Sequence, residues 1–236
     1  MIKVEALYYE LCNFFGDGFN VRYLKDSSDE IEVIETAFSE EPYFVKHDVN
    51  LIVMGSTTEE RQERIIEKLR PYKGRILELI LKDVPFLITG NALEIFGEKI
   101  EKEDGSVVEG LGIYPTVAKQ KMLARHNSLF LGKMEGMEIV GYKSQFAHSY
   151  GDNEKNYAFE VINGVGLSPE VKKEGIRIHN FIATYVLGPL LPLNPDFTEW
   201  LLKKAGVKNP KAKYSEEARK AWEIRVEEFR KLKAEM

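Results

Sequence analysis

A chain of 236 residues, 44% hydrophobic and 30% charged, is long enough to bury one sizeable α/β core or two small ones. Its formal charge of −5 supplies no basic field for a nucleic-acid backbone or an anionic membrane, and its single cysteine, Cys12, excludes an intramolecular disulfide and a multi-cysteine zinc site. No apolar run reaches the ~20 residues of a membrane span, and the first residues lack the basic, apolar and small-residue succession of a signal peptide, so a soluble cytoplasmic protein is expected, with neither nucleic acid nor membrane as partner.

Residues 2–8 alternate apolar and polar and predict a first strand. The turn-rich stretch Asn13-Phe14-Phe15-Gly16-Asp17-Gly18 follows, residues 20–24 open a helix, and residues 31–36 predict a second strand. The apolar run 49–54, broken only by Asn50, predicts a buried parallel strand. It ends in Gly55-Ser56-Thr57-Thr58, with Thr58 placed to cap a helix patterned by Ile65, Ile66 and Leu69. A helix carrying Ile76, Leu77, Leu79 and Ile80 leads into a strand at 84–89. The strand-helix-strand-helix order predicts a mostly parallel sheet covered on both faces. Within it, Pro85-Phe86-Leu87-Ile88-Thr89-Gly90-Asn91-Ala92-Leu93-Glu94-Ile95-Phe96-Gly97 reads as an apolar strand, a tight small-residue turn and a helix start, the geometry in which α/β enzymes present a nucleophile.

From 110 to 166 the texture changes to short, Gly-punctuated apolar stretches, at 112–114, 128–132, 137–142 and 157–162, which predict antiparallel strands. Residues 175–186 predict a last strand-rich segment. Phe197, Leu201 and Leu202 mark a helix that docks on the domain, residues 206–213 form a Gly/Pro/Lys linker, and 215–236 predict a charged helix with Ala218, Trp222, Val226 and Phe229 at helical spacing. The organisation expected is therefore a domain over 1–205 and a linker with a charged helix over 206–236.

Few residues carry chemistry in a recognisable pattern. Cys12 follows the first strand, on the same carboxyl edge of the sheet as the Gly90 turn, and is a reactive candidate set against the ordinary reading of a buried structural thiol. His126 and His148 sit in polar neighbourhoods, the second in a stretch from Gln145 to Asn153 rich in hydrogen-bonding side chains; His47 and His179 read as structural. Thr89 would point away from a site built on Gly90, because strand neighbours alternate. No histidine has metal-ligand spacing, Gly164-Val165-Gly166 lacks the context of a phosphate loop, and the acidic clusters read as solvated faces, so no metal and no cofactor is implied.

The stretch Thr184-Tyr185-Val186-Leu187-Gly188-Pro189-Leu190-Leu191-Pro192-Leu193-Asn194-Pro195, together with the turn at Gly90, resembles class I glutamine amidotransferases of the cobyric acid synthase and lipid II isoglutaminyl synthase type. In those families the turn reads roughly Cys-Gly-Gly-Tyr-Gln and the later stretch Tyr-Leu-His-Gly-Pro. Leu7-Tyr8-Tyr9-Glu10-Leu11-Cys12-Asn13-Phe14-Phe15-Gly16-Asp17 is similar to their Leu-Tyr-x-x-x-x-Asn-x-Tyr-Gly-Asp segment, Gly55-Ser56 stands at their glycine-rich oxyanion loop, and Val140-Gly141-Tyr142-Lys143-Ser144-Gln145 at their Gly-Phe-Glu-x-His. The resemblance runs to about Trp200. It implies a flavodoxin-like parallel sheet flanked by helices, with antiparallel additions and a C-terminal helix.

It also puts the nucleophile position on Gly90 and the base position on Leu187, neither able to perform the chemistry, with a vestigial pocket drawn from Gly55, Ser56, Asn91, Glu94, Lys143, Gln145 and His148. Glu94 for glutamine, Asn91-Ala92 for Gly-Gly and Lys143 for glutamate suggest a pocket floor refitted for something charged, such as a small amino-acid-like ligand. The function so implied is a catalytically degenerate, non-hydrolytic partner or regulatory subunit of a Mur-ligase-like ATP-dependent enzyme in cell-wall precursor amidation. The alternatives are an enzyme of changed chemistry using the polar loop near His148, with or without Cys12, and an active amidotransferase with an unrecognised nucleophile.

Overall fold

A computed structural model describes residues 1–232. The first half alternates β1 (Ile2–Leu7), α1 (Gly18–Ser27), β2 (Ile31–Thr36), β3 (Leu51–Met54), α2 (Glu59–Leu69), α3 (Lys73–Leu81), β4 (Phe86–Thr89) and the short α4 (Ala92–Phe96). A strand-rich middle follows: β5 (Lys99–Glu101), β6 (Val107–Glu109), β7 (Val117–Gln120), β8 (His126–Met134), β9 (Met137–Gln145), β10 (Ala147–Tyr150), β11 (Phe159–Asn163) and β12 (Lys173–Glu174). The chain returns through β13 (Ile176–Ile178) and β14 (Phe181–Thr184) and closes with α5 (Leu190–Leu193), α6 (Pro195–Lys204) and α7 (Ser215–Lys231).

The main sheet has the order β13-β14-β4-β3-β1-β2. Its pairs are parallel except β13, which runs antiparallel to β14. Alternation sends successive residues to opposite faces. Ile52 and Met54 join Phe86 and Ile88 under α2, α3 and α4, while Leu51 and Val53 join Leu87 and Ile182 under α1, α6 and the β8–β9 hairpin. This is why the run 51–54 is apolar at every position: it is buried on both sides.

The hairpin of β8 and β9 pairs from His126↔Gln145 to Met134↔Met137 and turns on Glu135-Gly136, both with positive φ, the conformation that lets a two-residue turn follow the strand twist. Two expectations are corrected here. Thr58 occupies the cap position of α2 but its side chain makes no capping bond; the backbone pair Arg61 N to Thr58 O, 2.9 Å, closes the turn. The stretch 112–114 is no strand, because its amides are spent on the end of α4: Gly112 donates to Gly97 O at 2.7 Å and Ile113 to Phe96 O at 2.8 Å. The stretches at 128–132, 137–142 and 157–162 do pair antiparallel, and β5 and β7, outside the stretches read as strands, pair in parallel inside a sheet ordered β10-β7-β5-β6.

The charged C-terminal helix folds back. Val226 is buried, and Trp222 and Phe229 are partly buried, against Leu131 and Val140 of the hairpin. Trp222 Nε1 donates to Glu138 O at 3.1 Å, and Arg219 pairs with Asp196 and Glu199. The expected helix beyond 232 lies outside the described residues. Among those described, no helix is long and apolar enough to cross a membrane.

Candidate functional site

The parallel strands β3, β4 and β14 lie side by side, so the loops leaving their carboxyl ends meet at one point of the sheet edge, the place where α/β folds bind ligands. These loops carry Gly55-Ser56-Thr57, Gly90-Asn91 and Tyr185-Val186-Leu187. Gly90 turns the chain at φ +63°, a conformation that glycine adopts without steric cost. A Cβ placed there would lie 3.1 Å from Leu187 Cδ2, so positions 90 and 187 are neighbours although 97 residues apart in sequence. It would also lie 2.2 Å from Ser56 Oγ and 2.9 Å from Ser56 Cβ. Leu187 is fixed by a two-way backbone pair with Tyr142: Tyr142 N to Leu187 O at 3.1 Å and Leu187 N to Tyr142 O at 2.8 Å.

The 55–57 loop is held from both sides. Asp17, buried, accepts Ser56 N–H at 3.0 Å on one carboxylate oxygen and the Thr89 hydroxyl at 2.7 Å on the other. Asn91 accepts Thr57 N–H at 2.9 Å and donates to Thr57 O at 2.8 Å. Asp17 was not singled out in the sequence as a site residue; its place at the end of the 7–17 stretch was the signal that could have found it.

Below the strand-to-helix elbow at Gly90 runs a buried polar chain. Glu94 accepts Gln62 Nε2 at 2.9 Å and the Tyr185 hydroxyl at 3.1 Å; Gln120 Nε2 donates to Gln62 at 3.1 Å, and Tyr185 exchanges a hydrogen bond with Ser149 at 2.8 Å. Burial outweighs these donors and pushes the Glu94 carboxyl up to about 7. Lys143 is fully buried and donates to Glu174 at 2.8 Å, Gly166 O at 2.6 Å and Val165 O at 3.3 Å. Burial draws its ammonium below the ordinary lysine range, against the pull of Glu174.

These contacts correct the expectation of a floor refitted for a charged ligand. Glu94 and Lys143 spend their polar groups inside the chain, and Ser56, Asn91 and Leu187 are themselves buried. Gln145 and His148 lie on strands rather than in a polar loop, and the two contact each other, Gln145 Nε2 to His148 Nδ1 at 3.3 Å. Burial, with the charges of Lys143, His126 and Lys121, pushes the His148 imidazole down to about 4, so it is neutral at physiological pH. Its ring meets His126 edge-on, centroids 5.0 Å apart. Among the described residues no group of three or more His, Cys, Asp or Glu is placed to hold a metal ion.

Cys12 is 3% exposed within the core that includes Leu7 and Tyr8, and burial, reinforced by Asp17 and Glu10, pushes its thiol far above the range where a thiolate forms. Cys12 is therefore expected to label with an aromatic disulfide reagent only as fast as the chain unfolds; rapid labelling of the native protein would contradict this burial.

The chain is similar to known proteins over most of its length. It is 29% identical over 197 residues, 82% of this chain and 79% of the relative, to the lipid II isoglutaminyl synthase (glutamine-hydrolyzing) subunit GatD of Staphylococcus aureus (strain N315). Among solved structures it superposes on a glutamine amidotransferase with a TM-score of 0.59 at 12% identity, covering 86% of this chain and 99% of that one. It also superposes on PurLQS from Thermotoga maritima with a TM-score of 0.54 at 10% identity, covering 95% and 99%. These two likenesses establish the fold. The sequence profile of the CobB/CobQ-like glutamine amidotransferase domain matches residues 3–195, from the first strand through the loop that sets Leu187 beside Gly90, and the chain belongs to that family.

Proposed function

We propose that this chain is a catalytically silent member of its family, a non-hydrolytic subunit that works by binding beside a Mur-ligase-like ATP-dependent enzyme in the amidation of a cell-wall precursor. One observation carries the reading: the positions that the family resemblance assigns to nucleophile and base, Gly90 and Leu187, come into van der Waals range at the elbow, and neither can do the chemistry. Glycine has no group to attack with, and leucine cannot move a proton. Cysteine-dependent hydrolysis of glutamine needs a thiolate, a base and donors for the oxyanion. Loss of nucleophile and base from hydrolytic triads lowers kcat on the order of a millionfold. The buried Cys12 thiol supplies no substitute.

The partner role is supported by the Staphylococcus relative, which is named as one subunit of a glutamine-hydrolyzing synthase. The purified chain, given L-glutamine, is expected to release ammonia no faster than buffer, alone or with its candidate ligase, and to co-purify with that ligase. Ammonia release proportional to the amount of native chain would overturn the silent reading; failure to associate with any ligase-like protein of its own organism would overturn the partner role.

A further inference from the structure

We infer that Ser56 and Asn91 latch the 55–57 loop onto the elbow, closing the amidotransferase site from within and imposing glycine at position 90. This deepens the functional reading above and takes from it only the assignment of position 90. The family resemblance gives glycines at the oxyanion loop and after the nucleophile; here two of those places carry side chains, and both point inward. Ser56 Oγ is buried with no hydrogen-bond partner among the described residues, so no protein hydrogen bond there explains the hydroxyl. Space does. The Ser56 side chain fills the volume in which a Cβ at position 90 would stand, at 2.2 Å from Oγ and 2.9 Å from Cβ. Rotating the hydroxyl away relieves the first contact but not the second.

Nor is Ser56 free to retreat. Its N–H is held by Asp17 at 3.0 Å and its carbonyl accepts Phe14 N–H at 3.1 Å. The next residue is clamped at both backbone groups by Asn91, with Thr57 N–H and C=O each paired to the side-chain amide within 2.9 Å. The Ser56 and Thr57 amides of the loop are thus both spent on side chains of the same protein and are not available to an oxyanion. Leu187, 1% exposed, closes the remaining side. A glutamine molecule has no room beside residue 90 and finds the Ser56 and Thr57 amides already bonded.

A thermal double-mutant cycle of Ser56→Gly and Gly90→Ala reads the contact directly. The positive φ at residue 90 strains alanine equally on both arms and cancels. Gly90→Ala alone is expected to lower the melting midpoint by at least about 5 °C, as overpacking does in a chain of this size, and adding Ser56→Gly to restore a substantial part of it. Additive effects overturn the steric coupling. Two measurements need no variant at position 90. Amide exchange at Thr57 is expected to speed up tenfold or more in Asn91→Ala, unchanged protection counting against the clamp. Titration of the native chain with millimolar L-glutamine is expected to give no heat, and saturable binding overturns the closure. Ammonia release by the native chain with the coupling intact would overturn the functional reading and not the Ser56–Gly90 contact; additivity in a chain that releases no ammonia would do the reverse.

Discussion

Replacing Lys143 with methionine is expected to cost about 3–5 kcal/mol of stability, the ordinary consequence of removing one partner from a buried ion pair. Neither side chain of the Lys143–Glu174 pair has any exposed area, so water cannot take over the lost contact. Methionine nearly matches the lysine stem in volume, which confines the loss to electrostatics rather than packing. Three acceptors are stranded at once: the Glu174 carboxylate and the carbonyls of Val165 and Gly166. The second-site change Glu174→Gln is expected to recover most of the loss. One Glu174 oxygen alone receives both the Thr184 hydroxyl at 2.9 Å and Tyr185 N–H at 2.8 Å, so a glutamine carbonyl keeps both bonds while its amide turns towards the stranded carbonyls. Urea midpoints of the two single variants and the double test this. A double variant no more stable than Lys143→Met would mean that the pair contributes no coupling. A glutamate at position 143, the residue that the resemblance implies there, would set two carboxylates together in a dry site.

The sheet was legible because its strands are built from features that survive in one dimension. The apolar run into Met54 and the stretch from Phe86 to Thr89 are buried on both faces and read as parallel strands without further help. The elbow was legible too, because a sharp strand-to-helix turn needs small residues, and Gly90-Asn91-Ala92 supplies them. What a side chain touches across the fold was not. Lys143 and Glu174 are 31 residues apart, and Gln62, Glu94 and Gln120 reach one another from two helices and a strand. No spacing rule joins such positions, so Glu94 and Lys143 looked like charges awaiting a ligand when each already had its partners. The apolar positions of α7 announced a docking face but not its target on the β8–β9 hairpin. The parallel pair of β5 and β7 lay outside the stretches read as strands, and pairing direction is set by the connection and not by the strand.

The second large effect concerns Glu94 and depends on pH. Its carboxyl titrates at about 7 when folded against an ordinary value of 4.5, so the folded chain binds the extra proton. Stability is therefore untouched below about pH 4.5, declines as pH rises towards 7, and carries the full penalty above it, about 3 kcal/mol for a shift of this size. Glu94→Gln removes the titrating group and is expected to raise stability by about that amount at pH 8 while changing little at pH 4. The substitution fits the hydrogen-bond chain. A glutamine carbonyl can accept Gln62 Nε2 in place of one carboxylate oxygen, and its amide can donate to Tyr185, whose hydroxyl then donates to Ser149, a pair in which either oxygen can be the donor. The new carbonyl and the Tyr185 and Ser149 hydroxyls all keep partners, which limits the usual cost of altering a buried polar network. Thermal midpoints of the native chain and Glu94→Gln across pH 4 to 8 decide the matter. Parallel curves would mean that Glu94 titrates as an ordinary carboxylate. Diverging curves would mean that glutamate at position 94 makes the support of the Gly90 turn less stable at neutral pH than glutamine would.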